Sequence, residues 1–432
     1  MWLKQGFKKD GAITAREARV VFNPGAYASH APGVTAVGTA ALTSLFGCEE
    51  VKMDGRAVYT NAPITGAYCG NVVVQTYYAL DIQMDEAAEK LGMGPAELKL
   101  KNALREGDLS PSVHAIVGHG LADCIRTGIK EVGWPKKPER KIHIRRGWGM
   151  GCNMHGSSAH PGIKEQGNAT VRMNEDGTVQ LFTGATGLGT GAHTALAQVV
   201  AQEMGLRFED ISVVRGDTDV VPWDIGAFAS HTTYMGSRVA QMAAGEVMKQ
   251  VLALAAERLE TAAADLEIKQ SVVSIKGSDR RISVKEAVEP KRGLPSKQLI
   301  ASATYSPTKS YSFAAHFVEV QVDTETGQID VLQVVPVLEM GKIIHPVAAA
   351  GQIEGGIHQG IGHTLTEDYV VDERGRSLNA GLVDYKMPLS LDMPPIRTIM
   401  LETAPDPGGP IGAKGVGEDP IIAIGPAIAN AV

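Results

Sequence analysis

Apolar and polar positions alternate with different periods along this chain, and each change of period marks an element. In GFKKDGAITAREARVVF, residues 6–22, two extended stretches flank Asp10-Gly11, the dipeptide of a tight hairpin. Residues 1 to about 60 as a whole read as β-rich, so the chain begins almost inside a strand. From Gln75 the spacing turns helical and continues through MDEAAEKLGMGPAELKLKNALREGD, where Gly92 stops one helix and Pro95 opens the next. Pro135 to Arg146, PKKPERKIHIRR, then breaks the periodicity with charge and proline. It predicts a boundary that divides the chain into 1–140 and 141–432, with the basic run as a solvated linker.

The second part carries two related patterns. GNATVRMNEDGTVQLFTG alternates around Asp176-Gly177, and HFVEVQVDTETGQIDVLQVV alternates around Thr326-Gly327. A glycine loop leads from the first into the helical HTALAQVVAQEMG, ended by Gly205. A strand, ISVVRG, and a long helix from about Tyr234 to Leu259 follow. The second hairpin is followed by a glycine-containing helix, GQIEGGIHQGIGHTLTED. Two hairpin-plus-helix units predict an α+β fold of mixed sheets and helices, pseudo-duplicated in pattern but not in residue identity.

Charge and composition remove several classes. With 41 basic against 48 acidic residues the net charge is −7, and no basic stripe is interleaved with aromatics, so nucleic acid is not an expected partner. No stretch approaches the roughly 18 uninterrupted apolar residues of a spanning helix, and MWLKQGFKKDGAIT lacks the apolar core of a signal peptide. Cys48, Cys69, Cys124 and Cys152 form no CxxC pair, which fits a reducing cytoplasm. Glycine is in surplus, 49 of 432 residues where roughly 7% is usual. The surplus predicts loops gathered around a large ligand.

Four segments carry candidate chemistry. TGATGLGTGAHT, residues 183–194, lies between a strand and a helix, where backbone amides suit phosphate or heterocycle oxygens; a glycine turn without a ligand is the competing reading. Ser230, Thr232 and Thr233 stand just before the long helix, as caps or as donors to an anion. Gln352 and Gln359 are seven residues apart and share a helical face with Gly351, Gly355, Gly356 and Gly360 beside them; that face either packs on another helix or offers amides to a ligand. His358, His363 and Glu354 lack the HExxH spacing, so no protein-ligated metal is expected. In GPIGAKGVGEDPIIAIGPAIANAV, Glu418 sits between a glycine loop and a helix opened by Pro420, as a cap or as a general base.

In order and spacing, GLGTGAHT, DIGAFASHTTYMGS, GQIEGGIHQGIG and GAKGVGE together resemble the molybdopterin-binding large subunit of the xanthine dehydrogenase and aldehyde oxidase family. The resemblance implies a molybdopterin cofactor, often in a cytosine dinucleotide form, whose molybdenum takes no protein ligand. Its contacts would fall on Gly189, Thr190, Gly191, Ser230, Thr232, Gln352, Lys414, Gly415, Val416 and Gly417. Glu418 would be the base in oxidation of an electron-poor carbon of an N-heterocycle or aldehyde by water-derived oxygen. Residues 1–140 would be the remainder of a first cofactor-binding domain and 141–432 a second, shortened at its end. Partner subunits would carry [2Fe-2S] and FAD, and another chain or domain would supply the upstream portion that relatives possess.

Departures from the family pattern open an alternative. Gly66 to Gln75 reads GAYCGNVVVQ, with Cys69 where an arginine is usual and Asn71 where an aromatic is usual. Cys69, Asn71, Asn153 and His155 are the candidate substrate-pocket residues, although Cys152 and Met154 also read as core and His155 as a turn cap. The alternative function is a non-catalytic or degenerate scaffold subunit of such a complex.

Overall fold

Turn chemistry sets the first elements. The computed structural model describes residues 1–108, 116–136, 138–158, 163–290 and 297–432. β1 (Trp2–Phe7) and β2 (Ile13–Phe22) pair antiparallel about Asp10-Gly11, whose glycine holds φ +86°. α1 (Ala31–Ala41) interrupts the stretch expected to be β-rich; its alanine-rich run, opened by a proline, follows helical preference. β3 (Glu50–Ala57) then adds parallel to β2. α2 (Val73–Leu91) ends at Gly92, and α3 (Pro95–Asn102) begins on its proline as expected. α4 (Leu121–Val132) completes this part.

The predicted linker is part of a sheet. β4 (Glu139–Arg140) pairs with β5 (Ile144–Ser157), and Arg146 Nε donates to Gln321 Oε1 at 2.9 Å. A charged edge strand alternates its polar groups outward, which a search for apolar periodicity misreads as loop. Next come β6 (Gly167–Met173), β7 (Val179–Thr183), α5 (Ala192–Met204), β8 (Ile211–Val214) and α6 (Ser237–Leu259). β9 (Leu266–Lys269), β10 (Val272–Ile275) and β11 (Arg281–Ser283) form a small sheet closed by α7 (Val284–Val288). β12 (Leu299–Tyr305), β13 (Ser310–Asp323), β14 (Ile329–Glu339), α8 (Pro346–Leu365), β15 (Ile399–Leu401), α9 (Asp419–Ile422) and α10 (Ile424–Ala431) complete the chain.

The duplication is topological. β6-β7-α5-β8 and β13-β14-α8-β15 each consist of an antiparallel hairpin, a helix, and a strand parallel to the second hairpin arm. The strand preceding each hairpin crosses to the other unit. β5 pairs with β13 over the whole span from Ser157↔Ser310 to Ile144↔Asp323, whereas β12 pairs with β6. One apolar core packs α5 and α6 on the four-stranded sheet. A second packs α8 and α10 on one face of the five-stranded sheet. A third joins the N-terminal helices to the other face, and so contains residues from both sides of position 140.

One face of β5 meets the C-terminal segment residue by residue. A Cβ on Gly147, Gly149 or Gly151 would strike the backbone carbonyls of Ala431, Ala427 and Ala423 respectively. Two strand residues rise about 6.6 Å and four helical residues about 6 Å, so glycines at every second position match successive helical turns. Further along the same face, Asn153 Nδ2 lies 3.3 Å from Asp419 Oδ1, and Ser157 Oγ donates to the Gly415 carbonyl at 3.3 Å. His155 stands between them. Glycines that let backbone meet backbone cannot take a methyl without displacing the helix. Gly149→Ala is expected to lower unfolding free energy by about 1–3 kcal/mol in urea titration; a loss below about 0.5 kcal/mol would show that the segment adjusts freely.

Candidate active site

A cavity of about 540 Å³ opens where α8, the start of α5, the turn before α6 and the 413–418 loop converge. Of the residues singled out in the sequence, Cys69, Thr190, Gly191, Ser230, Thr232, Gln352, Lys414, Val416, Gly417 and Glu418 border it, and Gln359 joins Gln352 on the α8 face. Five others do not. Gly189 is exposed at φ +83° with nothing within 4 Å of a Cβ position. Gly415 presses on the Ser230 carbonyl. Asn71 is buried at φ +46° in the turn before α2, while Asn153 and His155 lie on β5 behind Glu418. His155 therefore caps no turn, and Cys152 and Met154 point into the core.

The glycines of α8 divide into two pairs. A Cβ on Gly351 or Gly355 would meet nothing within 4 Å, whereas one on Gly356 would come within 2.6 Å of Pro420 Cβ and one on Gly360 would collide with Ile424. One glycine pair thus admits the C-terminal helices, and the other keeps a side of α8 bare.

Glu418 occupies the N-cap position of α9, yet its side chain makes no cap hydrogen bond. Its backbone N–H donates to Ser230 Oγ at 2.9 Å, so that hydroxyl, read from sequence as a cap of the following helix, instead fixes the 413–418 loop. Oε2 is buried 2.8 Å from His155 Nε2. Behind the imidazole, Asp419 Oδ2 lies 3.9 Å from Nδ1 and accepts from Ser312 Oγ at 2.7 Å. Burial by itself lowers the His155 pKa, but contact with Glu418 and the charges of Glu418 and Asp419 outweigh it and hold the imidazole above its ordinary value. Burial pushes Asp419 up to about 6, against the opposing pull of His155 and Ser312. Cys69, on the cavity side, is pushed up to about 12 by burial and then by the Glu418 and Asp419 charges. It is a neutral thiol, where the family pattern has a guanidinium.

Lys414 requires a correction. Its position borders the cavity, but its ammonium turns into the interior, where it pairs with Glu339 and donates to the Gly118 carbonyl at 2.6 Å. Glu339 Oε1 accepts from the Gly341 and Ala404 amides at 2.8 and 3.0 Å, so both partners are saturated away from the cavity. The interior supplied a buried carboxylate that a glycine-loop motif does not reveal. Sequence reasoning also missed Asp419, Ser312 and Glu339. A signal for the placement of His155 did exist in the period-two pattern G-x-G-x-G-x-N-x-H-x-S from Gly147 to Ser157, which puts it on the glycine face.

Among the described residues, no three or more His, Cys, Asp or Glu side chains are grouped to hold a metal ion, and no helix is long and apolar enough to cross a membrane. Glycine-lined helix starts and a bare α8 face around a cavity of this size define a protein that cradles a bulky, polar, non-protein group. The chain belongs to the molybdopterin cofactor-binding domain family, whose two models match residues 1–103 and 127–394. It is 33% identical to the xanthine dehydrogenase molybdenum-binding subunit of Escherichia coli O157:H7, over 99% of this chain and 58% of that protein. It is 29% identical to the 6-hydroxypseudooxynicotine dehydrogenase complex subunit gamma of Paenarthrobacter nicotinovorans, over 100% of this chain and 56% of that protein. Quinoline 2-oxidoreductase from Pseudomonas putida 86 superposes with a TM-score of 0.88 at 27% identity, covering 99% of this chain and 58% of that one. The chain thus spans a little over half the length of these relatives.

The residues present fit such a cofactor. Thr190 Oγ1 is buried at the cavity without a hydrogen-bond partner, Gln352 borders it, and Gly355, on the cavity wall, leaves open space that a Cβ would fill. Loss of the buried Lys414 ammonium strands the Glu339 carboxylate. Lys414→Met is expected to cost about 3–5 kcal/mol in chemical denaturation. Glu339→Gln in the same background should recover a substantial part, and failure to recover would contradict the pairing.

Proposed function

We propose that this chain is the cofactor-cradling part of a molybdenum hydroxylase that oxidises an electron-poor carbon of an N-heterocycle or aldehyde with water-derived oxygen. The observation that carries the reading is Glu418: a carboxylate on the cavity wall, with one oxygen buried against His155 and its backbone tied to Ser230. When bound, the cofactor supplies the two-electron oxidation at the substrate carbon. The chain's own residues bind and orient. Thr190, Gly191 and the start of α5 offer a hydroxyl and amides, Ser230 and Thr232 stand across the cavity, and Gln352 offers an amide from α8. Glu418 takes the proton released as oxygen attacks. The neutral thiol of Cys69 leaves the substrate side without the positive charge an arginine would bring there.

In this reading residues 1–140 are the end of a first cofactor-binding domain and 141–432 a second. The glycine loops suit the phosphates of a cytosine dinucleotide form. Electrons leave through partner subunits bearing [2Fe-2S] and FAD, and a separate chain or domain contributes the portion of relatives that this chain does not match. The site is cytoplasmic, consistent with four unpaired thiols.

Co-purification with its partners should yield molybdenum by elemental analysis. Glu418→Gln should retain that metal while losing roughly 10²–10⁴-fold in turnover, the scale of general-base catalysis. A scaffold would show no difference between the two proteins, and an assembled complex without molybdenum or pterin would end the proposal.

A further inference from the structure

Among the described residues, the other histidines with enclosed rings differ in their partners. His231 lies away from the cavity, with Nε2 2.7 Å from the Gly226 carbonyl and Nδ1 3.3 Å from Glu165 Oε2, and half-buried His358 has Nε2 2.9 Å from the Pro388 carbonyl. His316 is fully buried, with neither ring nitrogen partnered, and burial pushes it down to about 3. His155 is comparably buried, but its contacts are the Glu418 and Asp419 carboxylates. Its ring is held on the glycine-faced side of β5, opposite Ser312 on β13, while Ser312 and Asn153 keep Asp419 in place behind it.

We propose that His155 is a positioning residue for Glu418: its protonated Nε2 holds Oε2, so that the other carboxylate oxygen is the one presented to the cavity as the base. The proposal rests on the reading of Glu418 as base. Oε2 is the buried oxygen, and Glu418 borders the cavity, which divides the two oxygens between a charge partner and open space. The titratable groups around the pair come from several elements. Asp419 on α9 adds negative charge to the imidazole, and Cys69 from the 66–72 loop faces Glu418 as a neutral thiol. Lys309, between β12 and β13, is largely buried; burial lowers its pKa, while the charges of Glu165 and Glu418 hold it up. Glu418 and Asp419 thus face the His155 imidazole at close range, with the Lys309 ammonium nearby. Removing a cation beside a carboxylate raises that carboxylate's pKa, so the acid limb of activity must move to higher pH.

Two variants and two measurements test this in the assembled complex and in the full chain. His155→Phe removes charge and donor; the acid limb of kcat/KM should move up by about one pH unit, with kcat lowered roughly tenfold or more. His155→Gln keeps a neutral donor, and should recover much of kcat while leaving the acid limb displaced. Separately, histidine-selective NMR of the full chain follows the resonance that His155→Gln deletes. In wild type it should titrate above the ordinary value of about 6.5, and Glu418→Gln should bring it down by about one unit. If Glu418→Gln abolishes turnover while both His155 variants keep the wild-type pH profile, or if the His155 titration ignores Glu418→Gln, the positioning role is wrong. If Glu418→Gln turns over normally, the base reading fails, and the role of His155 falls with it.

Discussion

The close approach of a helix to a strand governs this structure. β5 presents Gly147, Gly149 and Gly151 to α10, and the carbonyls of Ala423, Ala427 and Ala431 occupy the room that side chains would take. A strand-to-helix contact of this kind is ordinarily spaced by side chains; here the backbones themselves are in register. That register continues past the helix into Asn153, His155 and Ser157, so the same alternation that docks α10 also positions Asp419, Glu418 and Gly415. The stretch that brings Val416, Gly417 and Glu418 to the cavity is thereby backed by a strand more than 250 residues earlier in the chain.

Buried lysines are each held by several partners. Lys99, wholly enclosed between α2, α3 and β5, contacts Asp81 at 3.0 Å and Asp85 at 2.7 Å and donates to the Met150 carbonyl at 3.0 Å. Lys414 and Glu339 are satisfied likewise, by backbone carbonyl and amides as well as by each other. Isolated charges in such places would carry a large desolvation penalty. The His155 cluster differs, because one of its carboxylates, Glu418, borders open space. The Lys99 and Lys414 pairs lie wholly in the interior, whereas the pair of Glu418 with His155 has one side on the cavity.

Local chemistry made much of the fold legible in the sequence. Asp10-Gly11, Asp176-Gly177 and Thr326-Gly327 are turns because glycine alone enters positive φ freely, and Gly92 and Gly205 end helices for the same reason. Glu418, Gln352 and Thr190 could be found because motif order carries across a family even where individual spacings are weak. What was not legible depended on distant partners. Nothing near Lys414 in sequence announces Glu339 as the partner of its ammonium, and PKKPERKIHIRR looked like a linker because the strand partner of its last residues lies some 180 residues away. The two hairpin units showed in the pattern, but the crossing of β5 and β12 between them did not, since pairing across units leaves no local trace.

That crossing has a consequence for how the chain is made. β5 emerges from the ribosome about 160 residues before β13, its partner along its whole length. At roughly 5–20 residues per second this is a delay of roughly 10–30 s, during which a glycine-rich strand with an unsatisfied hydrogen-bonding edge waits in the nascent chain. Its other face waits longer still, until residues 415–431 arrive. Pairing at such separations favours slow folding, and the wall that carries Glu418 can form only after residues 415–431 have been made.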